Sequence, residues 1–156
     1  EGSKNGVDGL IIVDLPPEED KLINNYTKKF NIHNIRLLTP TTNKKRIGTI
    51  SKSTKGFLYY VSIMGITGTK RPSINSVKMS VGKIKKITNL PVIVGFGINN
   101  PRQVAQMNSF SDGCVVGSAI VQIIEENLDT KNKVTKITKK INDFLKKLKK
   151  NVNLNL

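Results

Sequence analysis

Three stretches of this chain repeat one pattern, a β-branched apolar run that ends in a glycine turn: FLYYVSIMGITG at 57–68, VIVGFGI at 92–98 and CVVGSAIV at 114–121. Short apolar runs without polar alternation mark strands buried on both faces, the situation of a parallel sheet covered by helices. VDGLIIVD at 7–14, stopped by Pro16-Pro17, and Ile35 to Leu38, stopped by Pro40, add two further strands, the first read as buried and closing near Asp14. Parallel strands require crossovers, so the segments between the runs must be helical and the connections right-handed.

Those segments carry helical periodicity. Pro17 is read as opening a helix with Glu18, Glu19 and Asp20 in its first turn and an apolar stripe of Leu22, Ile23, Tyr26 and Phe30. Asn43 to Ser53 is a weaker helix with Ile47 and Ile50, and Val77, Val81, Ile84 and Ile87 define a third. Asn100-Pro101 reads as an N-cap followed by Pro at the first helical position, ahead of Val104 and Met107. Ser118 is read as the cap of the next helix, and Val134, Ile137, Ile141, Phe144, Leu145 and Leu148 form the stripe of a terminal one. The expectation is β-α repeated five times plus a last helix, a single domain over 1–150 with a frayed tail at 151–156. Periodicity alone leaves an open doubly wound sheet and a barrel both standing.

Composition narrows the function classes. The chain has 156 residues, with 26 Lys+Arg against 11 Asp+Glu and a net charge of +15, a balance that by itself points to an anionic partner. Only Arg36, Arg46, Arg71 and Arg102 offer a bidentate guanidinium, and no aromatic-rich strand is available to stack bases, so a nucleic-acid surface is disfavoured against solvated lysine faces. The diffuse positive field still suits a phosphorylated small substrate. The lone Cys114 lies in an apolar run and reads as a small core residue, not part of a disulfide. With no signal-peptide pattern and no long apolar run, a reduced, cytoplasmic protein with no membrane contact is expected. No His/Cys/Asp cluster has metal-ligand spacing, so no metal is expected. His33 reads as a loop residue.

The residues that look functional fall at strand C-terminal ends: Asp14, Thr39-Pro40-Thr41, Ser62 to Thr69, Gly95-Phe96-Gly97 and Gly117-Ser118. Barrel enzymes place their chemistry on that face and hold phosphate in the turns after their last two strands. Phosphate accepts several backbone N–H bonds at close range, which a β-carbon would obstruct, and a helix N-terminus adds positive potential. One glycine after a strand is an ordinary turn. Gly97 and Gly117 in consecutive units make a phosphate site the better reading. Asp14, the one carboxylate at a strand end, reads as a turn residue.

The blocks DGLIIVDLPPEE, GFLYYVSIMGITGTK, NLPVIVGFGINNPRQV and DGCVVGSAIVQIIEENL resemble the tryptophan synthase alpha subunit in order and spacing over nearly the whole chain. The resemblance implies an α/β fold of parallel (β/α)8 TIM-barrel type, incomplete, with five of eight βα units and the first three lacking. It implies retro-aldol cleavage of indole-3-glycerol phosphate to indole and glyceraldehyde 3-phosphate. On that resemblance Gly68, Gly97, Gly117 and Ser118 hold the glycerol phosphate, and Tyr59, Phe96, Ile11 and Leu38 wall the indole pocket, with core packing the alternative for the aromatics. Gly65 and Thr67 belong to the lid over the substrate, which departs from one common family form in carrying Ile63 after Ser62. The catalytic glutamate and aspartate are expected upstream of Glu1, so these residues would bind substrate without moving its protons. No cofactor is expected on this chain; pyridoxal phosphate belongs to the beta subunit, the implied partner. Two other readings stand beside it: another phosphate-binding barrel such as indole-3-glycerol phosphate synthase, and a basic, non-enzymatic binding protein.

Overall fold

The computed structural model describes residues 1–62, 72–130 and 132–150. Five strands alternate with helices: β1 (Gly9–Ile11), α1 (Lys21–Lys29), β2 (His33–Leu38), α2 (Lys44–Lys52), β3 (Leu58–Val61), α3 (Ile74–Lys85), β4 (Val92–Gly95), α4 (Pro101–Asn108), β5 (Gly113–Val115) and α5 (Ser118–Glu125), followed by α6 (Lys133–Lys149). The sheet order is β1-β2-β3-β4-β5 and every pairing is parallel. A doubly wound sheet reverses its strand order at a switch point. This one never does, so the repeat winds in one direction, as in a barrel wall.

The core lies between the middle of the sheet and its helices. Burial alternates along β3 and β4, where Leu58, Tyr60, Val92 and Val94 are buried and Tyr59, Val61, Ile93 and Gly95 are half-buried. Parallel register lines up Leu38, Tyr60, Val94 and Cys114 on the helix-facing side and Leu37, Tyr59, Ile93 and Gly113 on the other. Ile47 and Ile50 of α2, Val77, Val81 and Ile84 of α3, Val104 and Met107 of α4 and Leu148 of α6 close the helix side. Each of these side chains contributes about 1.5–3 kcal/mol of hydrophobic stabilisation. Cys114 packs against the cluster, partly buried.

The helix starts follow local chemistry. Asn43, Ser73 and Asn100 each accept from the backbone N–H three residues on, at Arg46, Ser76 and Gln103. At α4 the Gln103 side chain in turn accepts from the Asn99 N–H at 2.9 Å, a reciprocal cap. Asp112 ties three elements together: its carboxylate accepts from the Val92 N–H at 2.8 Å and pairs with Lys85 at 2.8 Å, joining the end of α3 to the starts of β4 and β5.

Both ends of the sheet differ from the sequence reading. The first strand is three residues long and exposed, with Leu10, Ile11 and Val13 at 37 %, 46 % and 68 % exposure, because it has one neighbour, β2. α1 begins at Lys21 and not at Pro17; residues 17–19 form a turn. Its stripe of Leu22, Tyr26 and Phe30 stays exposed, and the buried position is Thr27. His33 is no loop residue but opens β2, its N–H bonded to the Asp8 carbonyl at 2.7 Å. Ser118 does not cap α5: Gly117 is the cap and Ser118 the first helical residue. The tail at 151–156 lies outside the described residues.

Candidate functional site at the strand C-termini

The last registered pair between β4 and β5 is Gly95 with Val115. Gly97 and Gly117 each stand two residues beyond it in sequence, in the turns that leave two adjacent strands. Gly97 has φ +67°, a left-handed conformation that favours glycine. Gly117 has an ordinary φ of −118°, and a β-carbon built on it would meet no atom of the described residues within 4 Å. Its glycine is thus unexplained by packing or strain, and its open face exposes backbone at the N-terminus of α5. The first N–H groups of a helix, here those of Ser118 and Ala119, have no partner within it and carry the positive end of its dipole. Gly97 lies in the turn after β4, and Gly117 and Ser118 at the start of α5 after the adjacent β5. Gly65, Thr67 and Gly68, and with them the lid, lie outside the described residues.

The pocket walls divide. Ile11 registers with Ile35 on the face opposite the helix-covered core, the face that also carries Leu37 and Tyr59. Tyr59 is half-buried there, and desolvation raises its phenol above the ordinary value. Leu38 is on the wrong side: it is fully buried beneath the helices, in register with Tyr60, because strand side chains alternate and Leu38 follows the inward-facing Leu37. Phe96 is 5 % exposed and packs in the same core cluster, so it supports the Gly95–Gly97 turn from below and leaves little surface for a ligand.

Two arrangements escaped the sequence reading. The Ser62 N–H and hydroxyl both donate to the Gly95 carbonyl, at 3.1 and 2.5 Å, locking the end of β3 onto β4. The other is a buried ion pair between Arg36 of β2 and Asp20, with Arg36 also donating to the Leu15 carbonyl at 3.0 Å. Burial pushes the Arg36 guanidinium below its ordinary value, while the nearby Glu18 charge opposes that shift. A second, exposed pair, Glu18 with Arg46, holds the same turn from α2. These acids read as helix-dipole partners in sequence; they are clamps for the turn after β1. The signal was an arginine inside the apolar run NIRLL.

A parallel sheet whose strand order never reverses, covered by helices on one side, is the wall of a β/α-barrel protein. Comparison with known proteins gives the particular kind. The family model for the tryptophan synthase alpha chain matches residues 1–153, and the chain belongs to that family. The tryptophan synthase alpha chain of Erythrobacter litoralis is 42 % identical over 139 residues, 88 % of this chain and 54 % of that one. A solved structure from Aquifex aeolicus superposes with a TM-score of 0.77 at 30 % identity, covering 97 % of this chain and 53 % of the other. The Pyrococcus furiosus tryptophan synthase α2β2 complex gives 0.79 at 30 % identity, covering 94 % and 57 %. The chain thus spans about half the length of the relatives it matches, and its five βα units form an incomplete barrel of the (β/α)8 type.

Proposed function

We propose that these residues form the substrate-holding part of a tryptophan synthase alpha chain, whose reaction is retro-aldol cleavage of indole-3-glycerol phosphate. The observation that carries this reading is that Gly97 and Gly117 each follow a paired strand end, Gly95 and Val115, by two residues, with no atom of the described residues within 4 Å of a β-carbon on Gly117. Backbone N–H groups at the two turns and at Ser118 would grip the phosphate. Tyr59 and Ile11 would meet the indole on the face opposite the core.

General acid–base groups contribute about 10²–10⁴-fold each. In this proposal the acid and base come from βα units outside these 156 residues, which organise the substrate without moving its protons. The partner is a beta subunit that receives indole and carries the pyridoxal phosphate, in the cytoplasm, with no cofactor on this chain. No described helix is long and apolar enough to cross a membrane.

The test is complementation. The chain alone should cleave no indole-3-glycerol phosphate above a Gly97→Asp control. Mixed with the first three βα units of a relative, it should bind indole-propanol phosphate by calorimetry and recover turnover. Turnover by the chain alone would place the acid and base within it, and calorimetric silence in the reassembled barrel would remove the phosphate site.

A further inference from the structure

Between α2 and α3, on the helix side of the sheet, lies a cleft of about 430 Å³. This is within the roughly 300–1,000 Å³ range of small-molecule sites. It is a different cavity from the one proposed for indole-3-glycerol phosphate, because Leu38 and Tyr60 in its lining face away from Tyr59. Its walls split by chemistry. Of its apolar lining, Pro40 and Ile87 offer surface that a ligand can reach, whereas Leu38, Ile47, Tyr60 and Ile84 are buried.

The rim is cationic. Lys44 at the start of α2, Lys83 near the end of α3 and Lys86 just beyond it line the cleft and are exposed, and none of the described residues in the lining is a carboxylate. Among the described residues the ion pairs are Arg36 with Asp20, Arg46 with Glu18 and Lys85 with Asp112, so the three rim lysines are not neutralised by any of them. The reachable apolar surface of Pro40 and Ile87 beside several unneutralised ammonium groups matches one ligand shape, an apolar body of about ring size bearing an anionic head. A neutral apolar molecule would leave the cations unanswered, and a bare anion would leave the apolar surface uncovered.

We propose that the α2–α3 cleft is a second binding site, for a small amphipathic anion, seated with its apolar body against Pro40 and Ile87 and its head group at Lys44, Lys83 and Lys86. The site is independent of the phosphate turns at Gly97 and Gly117.

Four probes separate the two halves of the proposal on the intact 156-residue chain: phenyl phosphate, 3-phenylpropanoate, inorganic phosphate and 3-phenylpropanol, each titrated by amide chemical shift. Phenyl phosphate or 3-phenylpropanoate, or both, should shift amides of α2 and α3 and bind at least about tenfold more tightly than the other two; which of them binds identifies the head group. Lys83→Glu/Lys86→Glu, on an exposed surface, should weaken that binding at least about tenfold, and Ser80→Phe, which fills the cleft from its α3 wall, should abolish it. Gly117→Asp should leave it unchanged. Shifts centred on Gly97 and Gly117, equal affinity for the neutral alcohol, or indifference to both cleft variants in a folded protein would overturn the proposal.

Discussion

The side chain of Tyr59 occupies the space that a β-carbon on Gly95 would need: such an atom would stand 2.7 Å from the phenolic oxygen and 2.9 Å from the ring. The two residues sit on adjacent strands, Tyr59 registering with Ile93, two positions before Gly95. The ring therefore leans along the sheet toward the strand C-termini, into a gap that only glycine leaves. Gly95→Ala should force the ring aside and destabilise the fold by about 1–3 kcal/mol, the usual cost of overpacking. Tyr59→Leu on that background should recover most of it. Equal urea midpoints for Gly95→Ala and wild type would show that the ring relocates freely.

The two phosphate-turn glycines should respond differently to the same substitution. Aspartate at Gly97 must adopt φ +67°, whereas at Gly117 it takes an ordinary φ at a helix N-cap, where a carboxylate is favourable. Gly97→Asp should cost about 1–2 kcal/mol of stability. Gly117→Asp should keep or raise the thermal midpoint while lowering affinity for indole-propanol phosphate at least about tenfold in the reassembled barrel, since charge-assisted bonds are worth about 1.5–3 kcal/mol each. A calorimetric affinity unmoved by Gly117→Asp would detach that residue from the site.

Breaking the buried pair from one side should be worse than removing it whole. Arg36→Leu leaves Asp20 buried without its cation, at a cost of about 3–5 kcal/mol. Arg36→Leu with Asp20→Ala should cost clearly less. The comparison is a double-mutant cycle in urea, and strict additivity would mean that the two side chains do not interact.

Asp112 links stability to acid. Burial raises its carboxyl, but the hydrogen bond from Lys85 and the Val92 N–H outweigh that and hold it below the ordinary carboxylate value. A depressed folded value stabilises above the unfolded one, about pH 3.9, and that stability is lost as pH falls through the folded value. Asp112→Asn should therefore lower stability at neutral pH by up to about 1 kcal/mol, in keeping with a half-exposed pair. It should also flatten the loss below about pH 4. Parallel acid-unfolding curves for variant and wild type would remove Asp112 from the pH response.

Much of the fold was legible because local chemistry and global need agree in the middle of the chain. Apolar runs stopped by glycine or proline mark β2 through β5, and Asn43 and Asn100 cap the helices the periodicity requires. At β1 and α1 the same reasoning misplaced residues. Leu22, Tyr26 and Phe30 have helical spacing, yet a stripe is buried only if something lies against it, and the helix turns Thr27 inward instead.

The amino-acid order by itself determined the alternation of strands and helices, the stops between them and the two glycine turns, all consequences of interactions within a few residues of chain. Which strand lies beside which is a long-range matter. Only the tertiary structure settled that the sheet winds one way, that the turns holding Gly97 and Gly117 leave adjacent strands, and that Leu38 faces the helices while Tyr59 faces away. A strand's alternation says that neighbouring side chains point to opposite faces, but not which face the helices will cover. Register and packing make that choice, and they also bring Arg36 to Asp20 and Tyr59 across Gly95.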